Sequence, residues 1–585
     1  VHDSWIIDWT RDARLPYYTR ANAGEVLPDP VSPLGWTLGF EEGLLPGWLR
    51  GFEEFGIYYQ GELARASGKT PVVGLFGGYF YLNLSHMRLL GLRLGATVED
   101  FDAALLGSHP DAPPYDPHPD DLNAACSAKV AETIGGILGS TSYPQLDEDR
   151  RRTTQLRHDR PHLRAMSDSA LVSQARSFAA ELDNGFATHD FSSLASTIGP
   201  SMLGGIAASV GMQDSVLDLI SGLGDVDSAS PSTGLWDLSR EVNASKEVTA
   251  LFDQGAVAVA SAFESATDGP VAEFAASFDS FLAEYGYRGP NEWDIHSLSW
   301  EADPVQALAL VDTIRHTEDA DSPSARFERL QRRRTSAADA IRAALAGDPE
   351  QVALFETALA STLLSVPARE RTKATCVCVV NEVRMAVREL GRRGVEAGRL
   401  ARAEDVMMLM SDELDAYVAD PDSFSDVIAD RLVQYRDLYD LEPPFIIAAD
   451  PKPLSQWTRR ARASADAASE GDVLTGLGGS AGTYAGRVCV VTDLAHPESL
   501  EPGDVLVAPF TDAAWTPLFL VAGAVIVDVG AMNSHAVVVC RELAIPCVLS
   551  VTHGTKQLRT GMQVSVDGNA GTVTVGATDP SVPVG

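Results

Sequence analysis

One histidine stands in a stretch whose residue types suit chemistry on an anion. In GAVIVDVGAMNSHAVVVCRELAIPCVLSV, residues 523–551, the pattern predicts a buried strand over Val525–Val529, a permissive loop over Gly530–Asn533 and a helix over His535–Leu543. Ser534 is a good N-cap. His535 then falls on the first turn, where free N–H groups and the positive end of the helix dipole favour negative charge. A neutral imidazole, with an unperturbed pKa of about 6.5, is a competent nucleophile near neutral pH. A phosphoryl group received there makes a covalent intermediate and splits one transfer into two steps. Ser534 and Arg541, the latter less than two turns on, are the candidates to stabilise that phosphate. By spacing alone, a histidine at a helix start is more often a polar N-terminal residue than a catalyst.

Other candidates lie upstream. Arg369 and Lys373 are spaced i,i+4, so both project from one helix face; two solvated surface cations are the commoner meaning of such a pair. Glu370 falls on a different face and reads as surface. Arg288 and Glu292 share that spacing, but Gly289-Pro290 between them interrupts a helix, and a structural ion pair and a pocket role stand equally open. Trp36, Phe80, Tyr81 and Trp293 are candidates to line an apolar pocket, against the plainer reading of core packing. His109 and His118 sit in a Pro/Asp-rich loop, residues 107–122, without enough convergent ligands for a metal, so no metal site is expected.

The elements that must position these residues change character along the chain. Residues 1–40 are punctuated by Pro16, Pro28, Pro30 and Pro33 and read as irregular, and Glu41–Leu105 carries a helical pattern. Residues 123–420 are rich in Ala, Leu, Glu and Arg, with helices expected at Ser324–Leu345, at Pro349–Leu364 and again at Arg369–Arg392. Small polar residues from Ala461 to Asp472 read as a linker. Beyond it, short β-branched runs bounded by Gly, Pro and Asp predict strands. The expected fold is multidomain: a large, mainly α-helical domain over residues 1–460, a linker at 461–474, and a small α/β domain over 475–585.

The 585 residues hold 45 Lys and Arg against 81 Asp and Glu, a net charge of −36. Such a chain repels nucleic-acid backbones and anionic lipid, so neither is an expected partner. Six scattered cysteines, none in a CxxC pair, fit a reducing cytoplasm. No uninterrupted apolar run approaches the roughly 18 residues of a membrane helix.

The 523–551 string resembles the phosphohistidine signature of the phosphoenolpyruvate-utilising family, in which a Gly-rich loop runs into Ser/Thr-His-Ala, then an Ala-Arg-Glu-Leu-like helix and Ile-Pro-Ala-Val. Ser534, His535, Ala536, Arg541, Glu542, Leu543, Ile545 and Pro546 match; Cys540 stands where Ala is usual, and Ala531 and Asn533 depart from the commoner Gly and Thr nearby. Asp512–Phe519, Gly478–Gly482 and Gly486–Val488 are similar to other parts of the same swivelling domain. Arg20–Pro28, Pro33 and Trp36, then Phe80–Ser85, Tyr285–Glu292 and the Arg369-Glu370-Arg371-Thr372-Lys373 run resemble the acceptor domain of rifampin phosphotransferases, whose motif is Arg-Glu-x-x-Lys.

This resemblance implies that His535 carries phosphate and that Arg369 and Lys373 hold the phosphoryl group opposite it. Nothing in the chain resembles the ATP-grasp domain that charges the histidine in such enzymes, and there is no GxxxxGK[ST]. ATP and Mg2+ are therefore expected on a partner ATP-grasp subunit, as in the two-subunit phenol and alkylphenol (cresol) phosphate synthases, whose acceptor-plus-histidine subunit the chain looks like. The implied acceptor is a small aromatic hydroxyl compound. A fragment of a rifamycin-type antibiotic phosphotransferase, or a non-catalytic phosphocarrier serving another protein, are the rival expectations.

Overall fold

The Ala-, Leu-, Glu- and Arg-rich windows fold as helices, among them Asp168–Ser209, Ser230–Ala244, Gly269–Tyr285, Pro304–Ile314, Pro323–Leu345 and Pro349–Glu396. The computed structural model describes residues 3–59, 62, 71–106, 111–224, 226–227, 229–448, 450–460, 467–492, 500–511, 515–530, 534–551 and 553–576. His109, Asp512–Ala514, Ala531, Asn533 and residues 461–466 of the expected linker lie outside these, as does the side chain of His535. The multidomain fold class expected from sequence holds: a large helical region and a small C-terminal α/β domain.

Two helices expected around Pro367 are one, the 48-residue Pro349–Glu396 helix, with Pro367 inside it. A proline here deprives the carbonyl of Leu363 of its partner. Leu363 lies on the exposed side of the helix, while Ser365 and Thr362 hydroxyls donate to the carbonyls of Ser361 and Ala358 on the buried side. This helix contains an 18-residue window long and apolar enough to cross a bilayer, 44% of it buried within the protein.

The chain forms two compact units. The first comprises Val1–Ala195, Asn291–Ser297 and Thr372–Arg462. It holds an antiparallel sheet of β1 (Tyr18–Thr19), β2 (Val73–Phe76), β3 (Tyr79–Asn83) and β4 (Ile446–Ile447), in the order β2-β3-β1-β4. The β2–β3 hairpin interrupts the helical pattern expected from Glu41 to Leu105. Its cause is Gly77-Gly78, both at positive φ (59° and 76°), the geometry of a two-residue hairpin turn whose twist matches the strands. Residues 1–40 also hold more than irregular chain, since Gly35–Leu44 coil as a π-helix. Arg20 pins this region: it donates to the carbonyls of Leu27 (3.1 Å), Pro28 (3.0 Å) and Phe80 (2.6 Å) and lies over the rings of Tyr79 and Tyr81.

The second unit comprises Ser196–Pro290, Leu298–Arg371 and Ala463–Gly585. Its sheet contains β5 (Val473–Thr475), β6 (Leu477–Ser480), β7 (Thr483–Val490), β8 (Val505–Ala508), β9 (Ala524–Val527), β10 (Cys547–Leu549), β11 (Gln563–Asp567) and β12 (Thr572–Val575). The order is β5-β12-β11-β7-β8-β9-β10-β6, with β7 to β10 parallel. β5 and β6 occupy opposite ends of that order yet are separated only by Gly476, so the sheet is rolled. β5 starts inside the expected 461–474 linker because Val473–Thr475 pairs with β12.

One face of this sheet encloses its own apolar core, with Val488, Val505, Ile526, Val548 and Val564. The other is covered by the Thr516–Val521 and His535–Leu543 helices, and that core continues into Leu235, Trp236, Phe281, Leu308 and Val311 of the helical segments. The Ser230–Ala244 and Pro304–Ile314 helices pack on Thr516–Val521, and Pro323–Leu345 packs on His535–Leu543. Residues 196–290 and 298–371 thus group with the α/β domain rather than with the rest of the expected 1–460 domain, because burial of this common apolar face joins them.

Gly476 leaves no room for a side chain: an added Cβ would lie 2.1 Å from the Leu549 carbonyl oxygen. Gly476→Ala is expected to destabilise the α/β domain by about 1–3 kcal/mol, whereas Gly135→Ala, on an exposed helix face with nothing within 4 Å, should stabilise by roughly 0.5–1 kcal/mol. Urea unfolding of the two variants checks both signs.

Candidate functional site

The residues before His535 are held by short polar ties at the ends of β9 and β10. Asp528 accepts from the Thr555 N–H (2.9 Å) and the Thr555 hydroxyl, and the Ser550 hydroxyl donates to the Gly530 carbonyl at 2.6 Å. Ser534 is extended (φ −68°, ψ 160°), as an N-cap requires, and its carbonyl accepts the Val538 N–H. Its hydroxyl caps nothing. That oxygen is buried and without a hydrogen-bond partner among the described residues. His535 is the first residue of the helix, so the backbone N–H groups at 535–537 form its opening turn and have no intrahelical acceptor. A buried hydroxyl and a ring of free amides at a positive helix end suit a phosphoryl oxygen.

The other end closes at Ala544, left-handed at φ 55°, with the Ile545 N–H bonding back to the Cys540 carbonyl. Arg541 does not join the opening turn. Six residues on, it lies roughly 120° around the helix and about 9 Å along it from position 535, and its Nε donates to the Gly479 carbonyl at 2.8 Å. Desolvation lowers its pKa to about 10, which leaves it charged at neutral pH. Glu542 faces the other way, accepting from the backbone N–H groups of Leu223 (3.0 Å) and Gly224 (3.4 Å). Burial pushes its carboxyl up to about 7.

In the first unit a second polar cluster forms around Lys373. Its Nζ sits 3.0 Å from Glu292 Oε1, and both groups are largely buried. Arg384, fully buried, sets the geometry: it donates to the carbonyls of Glu292 and Asp294, each at 3.0 Å, and to Asn381 Oδ1 at 2.9 Å. This fastens the non-helical 291–296 turn to the Pro349–Glu396 helix. Trp293 follows Glu292 and packs against Phe186 and His189 (ring centroids 5.6 and 5.8 Å). His189 Nδ1 lies 3.1 Å from the hydroxyl of Thr372, next to Lys373 in sequence. Sequence reasoning missed Arg384, His189 and Thr372. Arg384 and His189 lie in no motif, Thr372 is an unspecified position of the Arg-Glu-x-x-Lys run, and only the fold brings residues 189, 292 and 372–384 together.

Arg369, in the second unit, pairs with its neighbour Glu370 at 2.8 Å. Glu370 is only 2% exposed, so it is not the surface residue expected. Arg288 is fully buried in the same unit, with its guanidinium over the Tyr287 ring, and residues 289–300 form turns, not a helix.

Of the aromatic candidates, Trp36 and Phe80 pack on one another and Phe80 connects through Trp48 and Phe186 to Trp293, while Tyr81 turns away from them. Trp36 is buried, stacks on Phe40 and donates to Glu41, which also accepts the Trp9 indole N–H. Phe80 and Tyr81 are adjacent on β3 and so point to opposite faces: Phe80 toward Trp36, Phe40 and Trp48, and Tyr81 toward Phe76 and Arg20, with its hydroxyl on the Pro444 carbonyl. Among the described residues no group of three or more His, Cys, Asp or Glu could hold a metal ion.

Burial raises the Asp528 carboxyl to about 6, and its hydrogen bonds from Thr555 pull the other way. A carboxyl whose folded pKa lies above its unfolded value binds its proton more tightly in the folded state. Its stabilising contribution is therefore complete below about pH 4 and lost as pH rises through 6. Asp528→Asn should flatten the pH dependence of domain stability between pH 4 and 7, by up to roughly 3 kcal/mol at about 1.4 kcal/mol per unit. Denaturant midpoints of both proteins across that range test this.

Two family domains are matched. Residues 189–370 match the rifampicin phosphotransferase fourth domain and residues 500–571 the mobile domain of PEP-utilising enzymes. The prodigiosin synthesizing transferase PigC of Serratia marcescens is 29% identical over 58% of this chain and 38% of its own length. A rifampicin phosphotransferase of Streptomyces sviceus is 29% identical over 51% of this chain and 34% of its own. The phosphotransferase YvkC of Bacillus subtilis is 26% identical over 58% and 41%. The chain thus spans about two-fifths or less of the length of these relatives. Position 535 falls inside the mobile-domain match, and Arg288 and Arg369 inside the fourth-domain match. Residues 189–370 and 500–571 are thus similar to two domains of the phosphoenolpyruvate-utilising and rifampicin phosphotransferase families, present here in one chain.

Proposed function

We propose that the protein is a phosphotransferase that carries a phosphoryl group on His535 and passes it to a hydroxyl. One observation carries this reading: His535 opens a helix whose first-turn amides have no intrahelical acceptor, behind a buried Ser534 hydroxyl with no partner among the described residues, within the segment matched to the mobile domain. In the transfer step an acceptor O–P bond forms as the P–N bond to His535 breaks. The electron pair returns to the ring nitrogen, and the acceptor's hydroxyl proton passes to the imidazole that this leaves or to solvent. Lys373 and Arg369 are the candidates to stabilise charge on the phosphoryl oxygens. The phosphoryl group would come from MgATP on an ATP-grasp partner subunit, so this chain's own part begins with phosphorylated His535.

The acceptor we infer is a small aromatic hydroxyl compound, a phenol or alkylphenol such as cresol. Supporting it is the aromatic cluster of Trp293, Phe186 and His189, whose members Trp293 and His189 are tied to the same turn and helix as the Lys373–Glu292 pair through sequence adjacency to Glu292 and the His189–Thr372 contact. A phenol's pKa near 10 means it needs a cation beside the oxygen that loses the proton. The matched fourth domain and the rifampicin phosphotransferase relatives favour a second acceptor class, a rifamycin macrocycle. Arg288 and Glu292 remain candidates to position either one.

Incubation with MgATP and an ATP-grasp polypeptide, followed by mass spectrometry, should reveal acid-labile phosphate on His535 that His535→Ala abolishes. Labelling that persists in that variant would disprove the relay. Lys373→Met should leave labelling intact and slow discharge to the acceptor by about 100-fold or more. Running 4-cresol against rifampicin as acceptors separates the two classes.

A further inference from the structure

Glu542 plays no part in the chemistry above, yet it is one of the most deliberately housed carboxylates in the second unit. It is 6% exposed and sits in a loop of the helical segment, not in its own domain. That loop is shaped for it. Gly222 and Gly224 are both left-handed (φ 60° and 69°), which turns successive backbone N–H groups to one side and forms a small anion-binding concavity. Gly222 must also be glycine for space, since a Cβ there would lie 2.6 Å from Leu330 Cβ on the Pro323–Leu345 helix.

The same helix supports the loop and the α/β domain together. Arg334 donates to the carbonyls of Ser221 (3.1 Å) and Gly222 from beneath, leaving the amides to face Glu542. Eight residues earlier, Arg326 donates to the Leu520 carbonyl at 2.9 Å, at the end of the Thr516–Val521 helix. Seven residues separate positions 535 and 542, which places them within about 20° of each other around the helix and about 10 Å apart along it. The stripe that starts at His535 therefore ends at the carboxylate locked into the 222–224 loop.

We propose that Glu542 is a positioning residue for phosphoryl transfer: by anchoring the far end of the stripe that begins at His535, it fixes the rotation and tilt of the helix, and so the direction in which its opening amides point. The proposal rests on the His535 relay. It also makes the α/β domain a keyed partner of helical residues 196–371 instead of a body loose on the linker.

The test uses the full chain and its Glu542→Ala and Glu542→Gln variants. Hydrogen exchange of the Leu223 and Gly224 amides and of Val538–Leu543 should quicken about tenfold or more in the alanine variant and less in the glutamine variant, which keeps an acceptor oxygen. Strands β11 and β12 should exchange as in the wild type. Chemical phosphorylation with potassium phosphoramidate, which needs no partner, should label His535 several-fold more slowly in Glu542→Ala, with rates largely restored in Glu542→Gln. Unchanged exchange in the 538–543 helix, or quickened exchange spread evenly through β11 and β12, overturns the positioning role. A wild-type chain that takes no label at His535 removes the relay reading instead, while the exchange data still decide whether Glu542 holds the helix.

Discussion

Two neighbouring side chains of opposite charge hold the His535–Leu543 helix, and the candidate chemistry depends on that hold. Nine residues are too few for a helix to persist by its own hydrogen bonds. Arg541 grips a carbonyl on β6 while Glu542 grips the amides of the 222–224 loop, so the helix is fastened on two sides near its C-terminal end. Its other end presents N–H groups with no intrahelical acceptor. An opening turn with that freedom is useful only if its direction is fixed, because dipole and amides act over the first turn alone.

The first unit applies a related rule to cations. Arg384 is buried and Lys373 largely so, and a cation taken out of water is tolerated only where carboxylates or carbonyls replace it. Glu292 supplies the charge for Lys373, and Arg384 holds the turn carrying Glu292 by its main-chain oxygens. Removing Arg384 would therefore disturb Lys373 without touching it.

The α/β domain was largely legible in the chain. β-branched runs bounded by Gly and Pro placed β7 to β12 within a few residues, and Ser534 placed the start of the 535–543 helix. β5 and β6 were missed because Leu477–Ser480 is half glycine and carries no alternation. The β2–β3 hairpin was missed although Gly77-Gly78 between two apolar runs is a hairpin signal, because a helical period was read through it. Pro367 suggested a break that the structure does not make, since an exposed carbonyl can turn to water.

The amino-acid sequence by itself determined the local chemistry: a histidine behind a capping serine, glycines where amides must turn, cations at i,i+4, and the family these motifs belong to. Tertiary structure decided which of these groups meet. It took Arg541 away from the opening turn, buried Glu370, parted Phe80 from Tyr81, and gathered His189, Glu292 and Lys373 from segments far apart in the chain. The physical reason is range. Caps, turns and dipoles act within a few residues and leave a mark in the order of side chains, whereas ion pairs and apolar faces are completed by partners hundreds of residues away, whose identity no local pattern records.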